Sequence, residues 1–468
     1  MLWACLLLPH LALDGVLRRR SDADEPLVLV DGPINARTIV AANRTARQAG
    51  LYVGQRLTAA QALLARFEAV PYDNDAAARW HRFLAAVAYR YSSEVCLLPH
   101  AVVLEVSKSM GLFGPWPRFE TLLRTDITQL GFRHRLAVAT TPHAAYVLAG
   151  LHDGMAVMAP DATRRAFQRV PVIKARLPAH AASRLHAMGL RNLGQVLAMP
   201  RDGLRRRFGA ELISTFDHLL GDAPHGLDPF VPPDVFDLRI ELSHEVENQS
   251  ALVFPLRRKC SDLAAYLAGR DGGVQQFVVK LEHREGNSTD VPVGLLVPER
   301  DPAMLFEFAR GRLDYIALPK PVIAMRVIAR DLPSFVPVGR DLFDERPAHA
   351  MSMEQLRERL RARLGDDAVY RLADTTDPRP ELAQSPHAVG LDQPEIFPRP
   401  TWLLDRPIPL RGPEPRILAG PERLETGWWD GGQVCRDYYA VETSLGQCAW
   451  VFCAPGERAG WMIHGWFA

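Results

Sequence analysis

Ten prolines fall within residues 374–415, and that run limits what the whole chain can become. Proline has no backbone N–H and a fixed φ, so a stretch this dense carries neither a long helix nor a central strand. The run reads as an extended, semi-rigid linker. It separates a short tail, 416–468, from everything before it. At roughly 150 residues per domain, the segment ahead of the linker must itself divide, because the chain has 468 residues. Hydrophobic residues make up 48% of it, enough for packed cores, and the formal charge is +1. No global excess of either sign marks a nucleic-acid binder or a receptor for acidic substrates, so any basic surface is local.

The six cysteines, Cys5, Cys96, Cys260, Cys435, Cys448 and Cys453, are sparse and unpaired in spacing. They fit free thiols in a reducing compartment, and no CxxC pair accompanies His464 to suggest zinc. The opening "MLWACLLLPHLAL" has no basic residue before its apolar run, stops at Pro9 and lacks a small-residue cleavage site. It reads as a buried first strand rather than a leader. No apolar run reaches the ~20 residues of a membrane span, and a cytoplasmic protein is expected.

Residues 1–170 alternate short apolar strands with amphipathic helices. Strands are expected at Leu2–Leu8, Pro26–Val30, Thr38–Ala42, Val102–Val106 and Arg135–Ala139, and helices at Thr58–Ala65, Asp75–Tyr89, Arg118–Gln129 and Pro142–Leu151. Residues 171–232 are helical and Arg-rich, with "LHAMGLRNLGQVLAMPRDGLRRRFG" reading as short helices punctuated by Gly189 and Gly194. Residues 233–338 return to strands around two helices, Gln249–Ala268 and Pro302–Asp314. A charged helix follows, "MEQLRERLRARLGDDAVYRL", and the tail beyond the linker is aromatic and strand-like.

The order of these pieces resembles the Y-family translesion DNA polymerases. "IVAANRTARQAGLYVGQRLTAAQAL" (Ile39–Leu63) is similar to the family's fingers segment, "AVATTPHAAYVLAG" (Ala137–Gly150) to a palm segment, and Leu185–Gly209 to the helix-hairpin-helix thumb. The tail motifs "GPERLETGWWDGG", "RDYYAV" and "HGWFA" resemble those of a divergent, non-catalytic branch. The resemblance implies an α+β multidomain right hand: palm and fingers at 1–170, helical thumb at 171–232 and little finger at 233–338. A clamp-binding peptide with the charged helix (339–373), the Pro-rich linker (374–415) and a small β-rich partner-binding unit (416–468) would complete it.

Active family members hold two Mg²⁺ ions on palm carboxylates, one for the primer 3′-OH and one for the triphosphate. Here the first-strand acid falls on Leu7, the next acid near Pro9, and the Asp-Glu pair on His100 and Ala101. Leu, Pro and Ala present no ligand atom, and neutral imidazole is a poor ligand for so hard a cation. No catalytic residue, metal or cofactor is therefore expected. Of the triphosphate contacts, Arg47 remains as a possible phosphate contact. Arg44, Thr45 and Val147 replace the fingers Tyr, the fingers Glu and the palm Lys.

Binding functions fare better under the same resemblance. Gly189, Gly194, Arg205, Arg206 and Arg207 in the thumb, with Arg257, Arg258 and Lys259 in the little finger, are expected to grip DNA without sequence preference. The first thumb hairpin is weakened, since its Gly-x-Gly falls on Arg176, Leu177 and Pro178. "GRDLFDE" is similar to the bacterial sliding-clamp peptide, with Gly339 near the Gln position and Asp341, Leu342 and Phe343 after it. Trp428, Trp429, Tyr438 and Tyr439 are candidates for docking a partner. The implied partners are DNA, the sliding clamp, an error-prone DnaE-type polymerase and the RecA-like ImuA, with no membrane. The implied setting is the nucleoid during damage-induced translesion synthesis and mutagenesis (the SOS response). Two other readings stay open on the residues alone. One is an active polymerase with ligands moved to Asp14, Asp31 or Glu105; the other is a DNA repair factor with no clamp contact. Glu105 is about 13 Å along the strand from Ala101, and Glu105 and Asp14 read by default as surface charges.

Overall fold

A computed structural model describes residues 1–20, 24–335, 353–365, 368–370, 373–375, 377–385 and 399–467. The chain divides into two compact units, Met1–Arg363 and Leu364–Ala468. The candidate clamp residues Gly339, Asp341, Leu342 and Phe343 lie outside the described residues.

The first unit is built around a five-stranded sheet with Trp3–Leu7 at its centre. That strand pairs antiparallel with Ala101–Glu105 on one side and Arg135–Ala139 on the other. Val95–Leu98 and Met155–Ala156 complete the sheet. Strand residues alternate between faces, and here both faces are covered. Ala4, Leu6 and Leu8 join a core with helices Asn74–Ala88 and Trp116–Gln129. Trp3, Cys5 and Leu7 join a second core with helix Pro142–Leu151 and the helices beyond it. Double coverage explains why the opening strand is apolar at every position. Leu27–Asp31, Thr38–Ala42 and Glu68–Pro71 form a separate three-stranded sheet with its own small core.

The helical segment comprises Ala179–Ala187, Leu193–Leu197, Arg201–Phe208 and Ala210–Leu220. It is tied to the sheet module by Arg176, which takes a left-handed backbone (φ 52°) where the expected hairpin glycine is missing. The Arg176 guanidinium stacks 3.7 Å over the Tyr146 ring and donates to its hydroxyl. The Tyr146 hydroxyl in turn donates to the Pro99 carbonyl at 2.7 Å.

A four-stranded antiparallel sheet follows, ordered Ser288–Glu299, Val274–His283, Val322–Asp331, Phe236–Val246. Its helices Gln249–Gly269 and Pro302–Leu313 pack on one another. This module does not form an isolated core: Leu252, Leu256, Leu263 and Leu267 share one continuous core with Trp80, Phe83 and Leu84 of the first module. Helix Gln249–Gly269 approaches helix Asn74–Ala88 so closely that a Cβ on Gly269 would collide with the Ala86 carbonyl.

The second unit is a five-stranded antiparallel sheet ordered Trp402–Pro409, Met462–Trp466, Cys448–Cys453, Val434–Glu442, Arg416–Thr426. Trp402–Pro409 lies inside the run read as an extended linker. It is an edge strand, where Pro407 and Pro409 interrupt no central ladder, and its register slips between Leu403 and Ile408.

Candidate functional site

Leu7 and Ala101 face each other directly in the register of the central strand pair. Both are buried in the core shared with Ala144, Ala145 and Leu148 of helix Pro142–Leu151. They present methyl groups to methyl groups, and no polar atom reaches them from their own side chains. Pro9 and His100 are exposed at the same end of the sheet. His100 occupies a tight turn with φ 55°, and its carbonyl accepts from Leu8 N at 2.8 Å. His81 Nε2 lies 2.8 Å from the Ala101 carbonyl.

The rim of this sheet end is cationic. His10, half-buried beside Pro9, is held below the usual histidine range by burial and then by the charges of Arg133, Arg47 and Arg135. His81 is lowered by burial, against the Ala101 carbonyl, with His100 and Arg82 adding to the effect. A rim of this sign repels divalent cations and attracts phosphate. Arg47, expected from the sequence as a possible phosphate contact, sits exposed on the short helix Arg44–Gln48. Asn43 caps that helix by accepting from Ala46 N at 2.9 Å.

Of the acids considered as relocated ligands, Glu105 and Asp14 are buried rather than surface charges. Glu105 is buried and accepts from Leu2 N, Ser107 N and Lys108 N at 3.1–3.3 Å, and from the Ser107 hydroxyl. Burial alone would raise its carboxyl, but these donors hold it below the usual range. Asp14, also buried, accepts from Arg133 N at 2.9 Å and Arg133 Nε at 2.7 Å. Asp31 is exposed in the small three-stranded sheet. Each of the two buried acids satisfies N–H donors that the sequence pattern does not show: Arg133 is 119 residues from Asp14, and Leu2 is 103 residues from Glu105. Among the described residues no three His, Cys, Asp or Glu side chains come together as a metal site.

The DNA-contact residues expected from sequence divide by burial. Arg205, Arg206 and Arg207 are exposed along helix Arg201–Phe208, and none pairs with a carboxylate among the described residues. Gly189 ends the preceding helix in an exposed turn (φ 87°). Gly194 has another task, because a Cβ there would stand 2.8 Å from Gln168 Cα. Arg257 is exposed and stacks over Phe306 at 4.6 Å. Lys259 does not belong to a DNA-facing patch: it is fully buried and bonds Asp262 at 3.0 Å. Arg258, partly buried, donates to the Leu130 carbonyl at 3.1 Å. Asp262 also receives Arg18 Nη2, from a residue 244 positions away. Burial pushes Lys259 down to about 8 despite Asp262. Asp262 itself, raised by burial but lowered more by Arg18 and Lys259, stays below the ordinary carboxylate range.

In the second unit Tyr438 and Tyr439 are core residues, not docking residues. Tyr438 stacks on Trp450 at 4.1 Å and its hydroxyl lies 2.8 Å from His464 Nδ1, while Tyr439 meets Trp461 edge-on. Burial pushes the Tyr438 hydroxyl up to about 12. Both strand faces are packed, so adjacent tyrosines are both buried. Trp428 and Trp429 are 75% and 58% exposed in the turn that precedes this strand. That turn is clamped by Arg379, which binds Asp430 and the Gly432 carbonyl.

Residues 16–150 match the model of the impB/mucB/samB family. Along most of its length it is similar to Protein ImuB from two strains of Caulobacter vibrioides. The identity is 28% over 462 residues, covering 89% of this chain and 100% of each relative. Among solved structures it is similar to a Y-family DNA polymerase chimera of Dbh and Dpo4, at TM-score 0.41 and 12% identity over 71% of this chain and 99% of that one. DinB from Sulfolobus solfataricus gives TM-score 0.39 and 13% identity over 72% and 100%. No helix among the described residues is long and apolar enough to cross a membrane.

Proposed function

We propose that this protein is a Y-family homologue without nucleotidyl-transfer activity, which binds DNA and brings an active error-prone polymerase to damaged template. The observation that carries the reading is the pair Leu7 and Ala101, buried side by side at the positions that hold metal-binding acids in active polymerases, under a rim formed by His10, Arg47, Arg133 and Arg135. In this reading 1–170 serve as palm and fingers, 171–232 as thumb and 233–338 as little finger. The exposed triplet Arg205, Arg206 and Arg207, with Gly189, supplies the grip on DNA, and Arg257 adds to it. The peptide at Gly339, Asp341, Leu342 and Phe343 engages the sliding clamp. The turn bearing Trp428 and Trp429 docks a protein partner, for which a DnaE-type polymerase and ImuA are the candidates. Exposed aromatics on a rigid turn are suited to such a hot spot, because little side-chain entropy is lost on binding.

DNA binding is tested by changing Arg205, Arg206 and Arg207 together to Gln. Each phosphate contact contributes about 0.9 to the slope of log affinity against log salt. The triple variant is expected to bind duplex DNA more weakly at every sequence, with a slope lower by roughly 2–3. Titrations at several salt concentrations measure this, and an unchanged slope removes the triplet from the interface.

A further inference from the structure

Helices Gln249–Gly269 and Pro302–Leu313 cover one face of the four-stranded sheet, and Gln249–Gly269 also makes the seam with the first module. The strand residues that point to these helices are apolar and buried, among them Leu238, Ile240, Val279, Leu281 and Val327. Their neighbours along each strand line the opposite face, and there the sheet carries charge. Arg239, Arg326 and Lys280 stand in register on three adjacent strands, so like charges oppose one another twice in one row. Such pairs destabilise a sheet unless something offsets them. Acids do so here. Asp237 accepts from Arg326 Nε at 2.6 Å, and Arg239 donates to Glu282 at 2.8 Å and to Glu241 at 2.7 Å. Asp290 lies 3.7 Å from Lys280 Nζ, and Glu241 is also 3.8 Å from Arg19 of the first module. Arg330 is the remaining cation on this face by alternation. The four strands thus set Arg239, Lys280, Arg326 and Arg330 against Asp237, Glu241, Glu282 and Asp290, four charges minus four, which leaves none.

A polyanion is attracted by cations that are not already neutralised, because each of them releases a counterion from the phosphate backbone. Neighbouring strands lie about 4.8 Å apart, so the row of three cations spans about 10 Å. Without its acids the row would be a phosphate-binding strip. With them it offers no net charge, whereas Arg205, Arg206 and Arg207 keep theirs. We infer that Asp237, Glu241, Glu282 and Asp290 mask the row, so that this sheet face holds DNA off and the acids limit how tightly the chain binds it. The inference takes its ligand from the DNA-binding reading above. A chain that delivers template to another polymerase must also release it, and a grip from the helical segment alone suits that task.

Duplex DNA binding by the full chain, titrated at several salt concentrations, tests the mask. Asp237→Asn with Glu282→Gln is expected to bind more tightly at low salt. The slope of log affinity against log salt should steepen by roughly 1–2, as Arg326 and one edge of Arg239 are freed. Asp237 is exposed and Glu282 half-exposed, so the unfolding midpoint should stay close to that of the parent. The control is Glu307→Gln with Asp314→Asn, which removes two other paired acids, the partners of Arg359 and Arg310. These belong to helix Pro302–Leu313 and its C-terminal cap, on the covered side of the sheet, and their loss should leave the slope as it is. The acid variant is titrated again with Arg205, Arg206 and Arg207 changed to Gln. A gain there shows the mask acting whether or not the triplet grips DNA. No steeper slope in either background, or an equal rise in the control, overturns the mask.

Discussion

Replacing Asp262 with alanine is expected to destabilise the first unit by about 3–5 kcal/mol, the usual cost of leaving buried charge without its partner. The carboxylate is fully buried and is shared by Arg18 and Lys259, themselves enclosed by Trp80 and Phe132. Its removal leaves Arg18 and Lys259 buried without the carboxylate they share. Denaturant unfolding measures the loss, and the double change Lys259→Met with Asp262→Leu should recover part of it by removing charge rather than stranding it. The sign with pH follows. Asp262 titrates below its ordinary range in the folded protein, so its contribution is complete above the unfolded carboxylate value of ~3.9 and is lost as pH falls through the lower folded value. A variant as stable as the parent would show that the seam does not depend on this carboxylate.

Placing acids at Leu7 and Ala101, the positions proposed to lack the metal-binding acids, should damage the fold rather than create chemistry. Leu7→Asp and Ala101→Glu each place a carboxyl in an apolar core against Ala144, Ala145 and Leu148. Burial without a partner costs on the order of several kcal/mol, or forces the group to stay protonated. Ala101 is also fully enclosed, so Glu there overpacks the strand pair. Lower unfolding midpoints are expected for both variants, with no recovery on adding Mg²⁺ and no nucleotide incorporation by the double variant. A Mg²⁺-dependent rise in stability would mean that the site still has the geometry to hold the ion.

Local structure was legible in the sequence wherever one element carries its own signal. Thr38–Ala42, Arg135–Ala139 and Pro142–Leu151 lie where periodicity and capping residues put them. The continuous apolar run at Trp3–Leu7 announced a strand covered on both faces. What stayed hidden depends on distant partners. Arg257, Arg258 and Lys259 look alike in sequence, yet a helix turns each to a different surroundings, and the Asp262 partner Arg18 is 244 residues away. Glu105 and Asp14 looked like surface charges because Leu2 and Arg133, whose backbone N–H groups they accept from, are more than 100 residues away, and because periodicity does not show the turn that aims Ser107 N and Lys108 N at Glu105. Tyr438 and Tyr439 showed the limit of alternation when a sheet has two packed faces. The cationic rim left the weakest trace of all, since Arg133 and Arg135 reach His10 only through the pairing of the first and fourth strands of the sheet module.

Primer extension by the purified full chain, with Mg²⁺ and then Mn²⁺, tests the central claim most directly, run beside a gel shift on the same primer-template. DNA binding with no added nucleotide under either metal is the predicted result. Metal-dependent incorporation that disappears in Asp14→Asn or Glu105→Gln would contradict it, and would show that the catalytic ligands moved rather than vanished.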